Sequence, residues 1–177
     1  MGNSSVIKSR LYSPSVVALE GGSGSSGPMA IMQLRTTAVT SATSSFQQVD
    51  FDTTDFESDT SVMEADGSGG ISVKETAVYE ITYDLDLLTP PANYITEFTG
   101  RVKSDSNVVV GSSALATTFY DNAIAGGTFR SHLGKSFFGF LGANTTLTFE
   151  IKTEAQAGTA EASVKQNAII TVKRIPS

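Results

Sequence analysis

Ten consecutive residues, Val78-Tyr79-Glu80-Ile81-Thr82-Tyr83-Asp84-Leu85-Asp86-Leu87, constrain this chain more than any other stretch. Tyr79, Ile81, Tyr83, Leu85 and Leu87 alternate with Glu80, Thr82, Asp84 and Asp86. An extended strand throws successive side chains to opposite faces, so this segment is predicted to give one face to a core and leave the other polar. A second alternation, Leu147, Phe149 and Ile151 against Thr148, Glu150 and Lys152, repeats the pattern near the C-terminus. No window shows a helical period, and no repeat of solenoid length is present.

Between these segments the punctuation is that of an all-β domain of about eight to ten short strands. Strands are predicted near Met29–Ala38, Phe46–Phe51, Val62–Ala65, Ile71–Lys74, Ala77–Leu88, Tyr94–Lys103, Asn107–Thr118, Thr128–Leu141, Leu147–Thr153 and Ala168–Ile175. Breakers separate them at Asp66-Gly67-Ser68-Gly69-Gly70, Pro90-Pro91, Asp121-Asn122, Gly126-Gly127 and Gly142-Ala143-Asn144. Many short antiparallel strands around one core point to a sandwich or a jelly roll.

A composition break divides the chain. Gly21-Gly22-Ser23-Gly24-Ser25-Ser26-Gly27-Pro28 reads as a tether, so residues 1–28 form an N-terminal arm with its linker and residues 29–177 the domain. The tether contains the letters of a G-x-G-x-x-G match, but Pro28 and a β-like run follow where a nucleotide site needs a helix. The arm carries Val6, Ile7, Leu11, Tyr12, Val16, Val17 and Leu19, too short a stretch to bury these side chains by itself, so they are expected to dock on something else.

The 177 residues include no cysteine and one histidine, His132, which removes thiol catalysis, zinc-thiolate sites and multi-His metal sites within one chain. Eighteen acidic against 12 basic residues give a net charge of −6, so neither nucleic acid nor an anionic membrane is an expected partner. Val16-Val17-Ala18-Leu19 falls short of the ~7–15 apolar residues of a secretory signal, and no spanning segment is evident; the expectation is a chain made and assembled in a host cytoplasm. His132 lacks a G-x-S-x-G partner motif, and no spacing selects a carboxylate pair, so no catalytic residue and no cofactor is assigned. Asp50, Asp52, Asp55, Glu57, Asp59, Glu64 and Asp66 offer hard oxygen ligands of the calcium type but not the spacing of an EF-hand, and no metal site is assigned. Asn3-Ser4-Ser5 and Asn144-Thr145-Thr146 match the glycosylation sequon, idle without a secretory route.

Four segments taken in order carry a family likeness: Phe46-Gln47-Gln48-Val49-Asp50-Phe51-Asp52, then Thr76-Ala77-Val78-Tyr79-Glu80-Ile81-Thr82-Tyr83, then Leu141-Gly142-Ala143-Asn144-Thr145-Thr146-Leu147, and finally Ala168-Ile169-Ile170-Thr171-Val172. Together they resemble the C1q/tumour-necrosis-factor jelly-roll family, from Met29 to Ile175. Ala77 stands where that family usually has glycine, and Asn144-Thr145 where it has Gly-Asp. The resemblance implies an all-β antiparallel jelly-roll sandwich that assembles as a homotrimer. Phe137, Phe138 and Phe140 are the expected trimer interface, since at least one of three nearly consecutive rings must point away from the core. An acidic, cysteine-free domain on a tethered apolar arm then suggests a virion structural protein. The expected role is a bacteriophage head fibre or capsid decoration (cement) protein on the capsid exterior, its arm held by the major capsid protein or another virion protein. The alternative is a fibre adhesin that binds a host-surface glycan through loops near Pro90-Pro91 and Asp121 to Gly127.

Overall fold

The computed structural model describes residues 29–89, 95–105, 107–119, 129–155 and 162–176. Among them the chain forms fourteen strands and no helix: β1 Ile31–Arg35, β2 Thr40–Ala42, β3 Gln47–Val49, β4 Thr53–Glu57, β5 Met63–Ala65, β6 Ile71–Val73, β7 Ala77–Thr89, β8 Ile95–Ser104, β9 Asn107–Val108, β10 Ala114–Phe119, β11 Phe129–Leu141, β12 Thr145–Ala155, β13 Ala162–Val164 and β14 Ile169–Arg174. They make two seven-stranded antiparallel sheets.

In the first sheet β7 is the axis. One of its edges pairs with β11 along its whole length, Ala77↔Leu141 to Thr89↔Phe129. Its other edge is shared, Tyr79 to Asp84 by β14 and Leu87 to Leu88 by β13. Beyond β14 lie β1 and then β4, and beyond β13 lies β2. In the second sheet β12 plays the same part, with β8 on one side and β6 and β3 on the other. The order there is β10-β8-β12-β6-β5, with β9 on β8. From β7 to β13 the chain passes repeatedly between the sheets, so strands adjacent in space come from distant parts of the sequence.

The two predicted alternations supply the facing layers of the core. Tyr79, Ile81, Tyr83, Leu85 and Leu87 are fully buried, as are Phe149 and Ile151 opposite them. The Tyr83 and Phe149 rings are 4.7 Å apart and tilted, and Phe51 meets Phe149 edge-on at 6.3 Å. Gly100 on β8 makes room for this packing, because a Cβ there would lie 2.7 Å from Leu133 and 2.8 Å from Phe149. The breaker Asp66–Gly70 is a turn organised by its own carboxylate, which accepts the N–H groups of Ser68 and Gly70 at 2.7 and 2.8 Å. Gly67 and Gly69 take φ of 74° and 85°, a conformation glycine adopts without strain.

The strand pattern departs from expectation in two ways. The single strand expected over Asn107–Thr118 is broken by a turn at Val110-Gly111, where Gly111 has φ 81°, leaving β9 and β10. Three strands, β2, β4 and β13, were not anticipated, and the count exceeds eight to ten. They are three to five residues long and lie toward the margins of the sheet; β4, Thr-Thr-Asp-Phe-Glu, is largely exposed and reads as a polar loop.

Candidate assembly face

The outward side of β7 and β11 is legible row by row from the register. Phe140 lies opposite Val78, Phe138 opposite Glu80, Ser136 opposite Thr82, Gly134 opposite Asp84 and His132 opposite Asp86. β14 continues three of these rows with Lys173, Thr171 and Ile169, and β1 with Ile31, Gln33 and Arg35. The face therefore has two zones. At one end Phe138 and Phe140 are 64% and 74% exposed, with Val78 at 41%. Ile175 N–H donates to Val78 O, and Arg174 N–H to Ala30 O, so Ile175 and Met29 extend the apolar row across the sheet. Met29 and Ile175, near the two limits of the described residues, thus both lie at the apolar end. A cleft of about 300 Å³ at this corner is lined by Thr76, Ala77, Val78, Phe140, Ile175 and Pro176, together with Arg174, whose Nε lies 3.0 Å from Glu75.

Farther along, the same face is mostly polar, with Ile169 and, opposite Gln33 on β4, the 51% exposed Phe56 as exceptions. Thr82 Oγ1 donates to Ser136 Oγ at 2.9 Å, Lys173 lies 3.7 Å from Glu80, and His132 Nδ1 sits 3.2 Å from Asp84 Oδ1. These exposed pairs contribute little stability individually. They do not require cover, whereas the phenyl rings do.

Of the expected interface rings, Phe138 and Phe140 point outward, but Phe137 opposite Ile81 faces inward and is 8% exposed, so it belongs to the core. Val6, Ile7, Leu11, Tyr12, Val16, Val17 and Leu19 lie outside the described residues, as do the loops at Pro90-Pro91 and Asp121 to Gly127. The acidic stretch is dispersed among local donors. Asp52 accepts from Thr37 Oγ1 and N–H, Asp55 pairs with Arg35, Asp59 accepts from Ser61, and Glu64 pairs with Lys74. The hydroxyl and then the amide of Thr37 hold the Asp52 carboxyl below its ordinary range, and Ser61 does the same for Asp59. No three His, Asp or Glu side chains gather for a metal ion among the described residues.

A second apolar feature lies on the flank of β11 and was missed in the sequence. Val110, at the β9–β10 turn, is 90% exposed, and Leu115 beyond it is 59% exposed. The turn is not loose. Buried Ser112 exchanges two 3.1 Å hydrogen bonds with the N–H and carbonyl of Val102, and its own carbonyl accepts the Tyr83 hydroxyl at 2.7 Å. Burial pushes the Tyr83 phenol well above its usual value. Lys135 Nζ donates to Ser113 O at 2.6 Å, and Val109 fills the space over Gly139, where a Cβ would come within 3.1 Å of it.

No protein-family model and no curated protein matches this chain. Solved structures do. The crystal structure of murine APRIL at pH 5.0 aligns with TM-score 0.56 at 10% identity, over 84% of this chain and 100% of that one. The globular domain of zebrafish complement 1qA aligns with TM-score 0.55 at 11% identity, over 84% and 98%. The fold is a C1q/TNF-like jelly roll. At such identities the likeness is one of fold alone. The four segments that suggested it take their places in this jelly roll around β3, in the first half of β7, in the β11–β12 turn, and at the start of β14.

Proposed function

We propose that this chain is a non-catalytic structural protein that assembles as a homotrimer, and that it decorates the exterior of a bacteriophage capsid through its N-terminal arm. The observation that carries the assembly is the outward pair Phe138 and Phe140 beside Val78 on the jelly-roll face. Covering one phenyl ring contributes about 1.5–3 kcal/mol. Association costs about 4–15 kcal/mol in lost freedom, so two rings, at about 3–6 kcal/mol together, reach only the lower end of that cost and a stable assembly calls for further apolar contacts. The capsid role is supported by the acidic, cysteine-free composition and by the tethered apolar arm. Three arms on one particle raise the local concentration of the second and third once the first has bound.

Light scattering on the full-length protein tests the assembly: a trimeric mass is expected, with Phe138→Ser plus Phe140→Ser reducing it to the monomer. A monomeric wild type at all concentrations refutes the reading. Deleting Met1 to Gly27 tests the attachment. The trimer should survive and cease to copurify with capsids, and unchanged occupancy counts against the arm. Reproducible, competable binding on a glycan array would favour the adhesin instead.

A further inference from the structure

Among the described residues, exposed apolar side chains near β11 form two features of different shape. The first is the row on the sheet face, Phe140, Val78 and Ile175, with the cleft closed by Pro176. The second is the turn that carries Val110, raised on a base that is itself part of the core. A twofold dimer uses one patch that is complementary to itself, whereas a ring uses two unlike patches, each meeting the other on the next copy. One patch here is concave and the other is a projecting side chain.

We infer that the Val110 turn of one copy docks into the cleft between Phe140, Val78 and Pro176 of a second copy, head to tail, so that each subunit gives one patch to each of two neighbours. This rests on the assembly proposed above and specifies how its copies engage. The preformed turn favours the contact: Ser112 and Tyr83 already hold it in place, so little ordering cost remains to be met on binding. The contact also adds Val110, Val78 and Pro176 to the apolar area of Phe138 and Phe140, which that interface needs. Because Val110 is 90% exposed and has no role in the core, substituting it leaves the domain folded.

The absence of cysteine makes the contact directly testable by cross-linking. In the full-length chain Val110→Cys is combined with Pro176→Cys, or with Val78→Cys as a second cleft position, and treated with a short bis-maleimide. Covalent species ending at the trimer are expected, and neither single variant should link to itself. Co-expressing Val110→Cys with Pro176→Cys should give linked pairs containing one of each. Val110→Asp should shift the concentration for half-assembly upward at least about tenfold, with the thermal midpoint of the dissociated chain unchanged. Strong self-linking of Val110→Cys alone, or a trimer in which neither cleft position links, overturns the docking while leaving the proposed homotrimer intact. A wild type that never exceeds the monomer mass overturns both.

Discussion

The two sides of the β7–β11 pair divide thirteen alternating residue pairs between them and follow different rules. Inward, Tyr79, Ile81, Tyr83, Leu85, Leu133, Phe137 and Leu141 are buried, with half-buried Ser131 and Lys135 the polar exceptions on β11. Outward, the strands carry hydroxyls, carboxylates and His132 for most of their length and turn aromatic at Phe138 and Phe140. The core face is apolar wherever the second sheet covers it, and Lys135 on the edge strand β11 satisfies its amine on Ser113 O. The outward face is polar through its middle, with half-buried Leu88 beside Val39 at the far end, and its exposed rings Phe138 and Phe140 are not required by the packing of one copy.

The largest expected effect separates the two sides outright. Phe149→Ala, which empties the space against Tyr83 and Phe51, should cost about 3–5 kcal/mol in urea unfolding. Phe140→Ser, measured on dissociated chain, should change the same quantity by less than about 0.5 kcal/mol. Comparable losses would mean that Phe140 is a core residue after all.

A middle-sized effect probes the buried hydroxyls. Burial raises Tyr79 and Tyr83 above the ordinary phenol value, so their contribution is whole below about pH 10 and is lost as pH rises through the folded-state values. Alkaline titration of the unfolding free energy should therefore fall steeply above that point. Tyr83→Phe should flatten the fall while costing about 0.5–1.5 kcal/mol at neutral pH through the lost bond to Ser112. An unchanged alkaline slope would show that Tyr83 is not the group responsible.

The smallest effect lies on the exposed surface. Thr37 depresses the Asp52 carboxyl, so that contribution is present above its unfolded value, about pH 3.9, and disappears as pH falls through the lower folded value. Thr37→Val should remove the hydroxyl's share of this acid dependence, the amide's being retained, with little change at pH 7. A large loss at neutral pH would make Thr37 a packing residue instead.

Much of the architecture could be read before any coordinates, for a physical reason. β7, β12 and β14 have one face in the core and the other outward, and such strands must alternate. The Asp66–Gly70 turn was legible because Gly67 and Gly69 need positive φ. β4 was not, because a strand at a sheet margin with both faces largely exposed has no apolar obligation to display. The Phe137-Phe138-Phe140 cluster announced that some ring must face outward, but the choice depended on Phe137 pairing with Ile81. Val78 could have been found, since it sits on the charged side of the alternation. Val110 could not: Val108, Val109 and Val110 look alike, and only the turn at Gly111 turns one of them inward over Gly139 and another into solvent.

β14 lies between β7 and β1, so residues 169–174 join two parts of a sheet that is otherwise split. During synthesis the edge of β1 that β14 will cover must therefore wait unpaired until residues 169–174 are translated, although its other edge can already pair with β4. A ribosome that stalls early releases a product with two open seams, which proteases and aggregation can recognise. Closure of the first sheet is thereby tied to the arrival of residues 169–174, which cover two exposed strand edges at once.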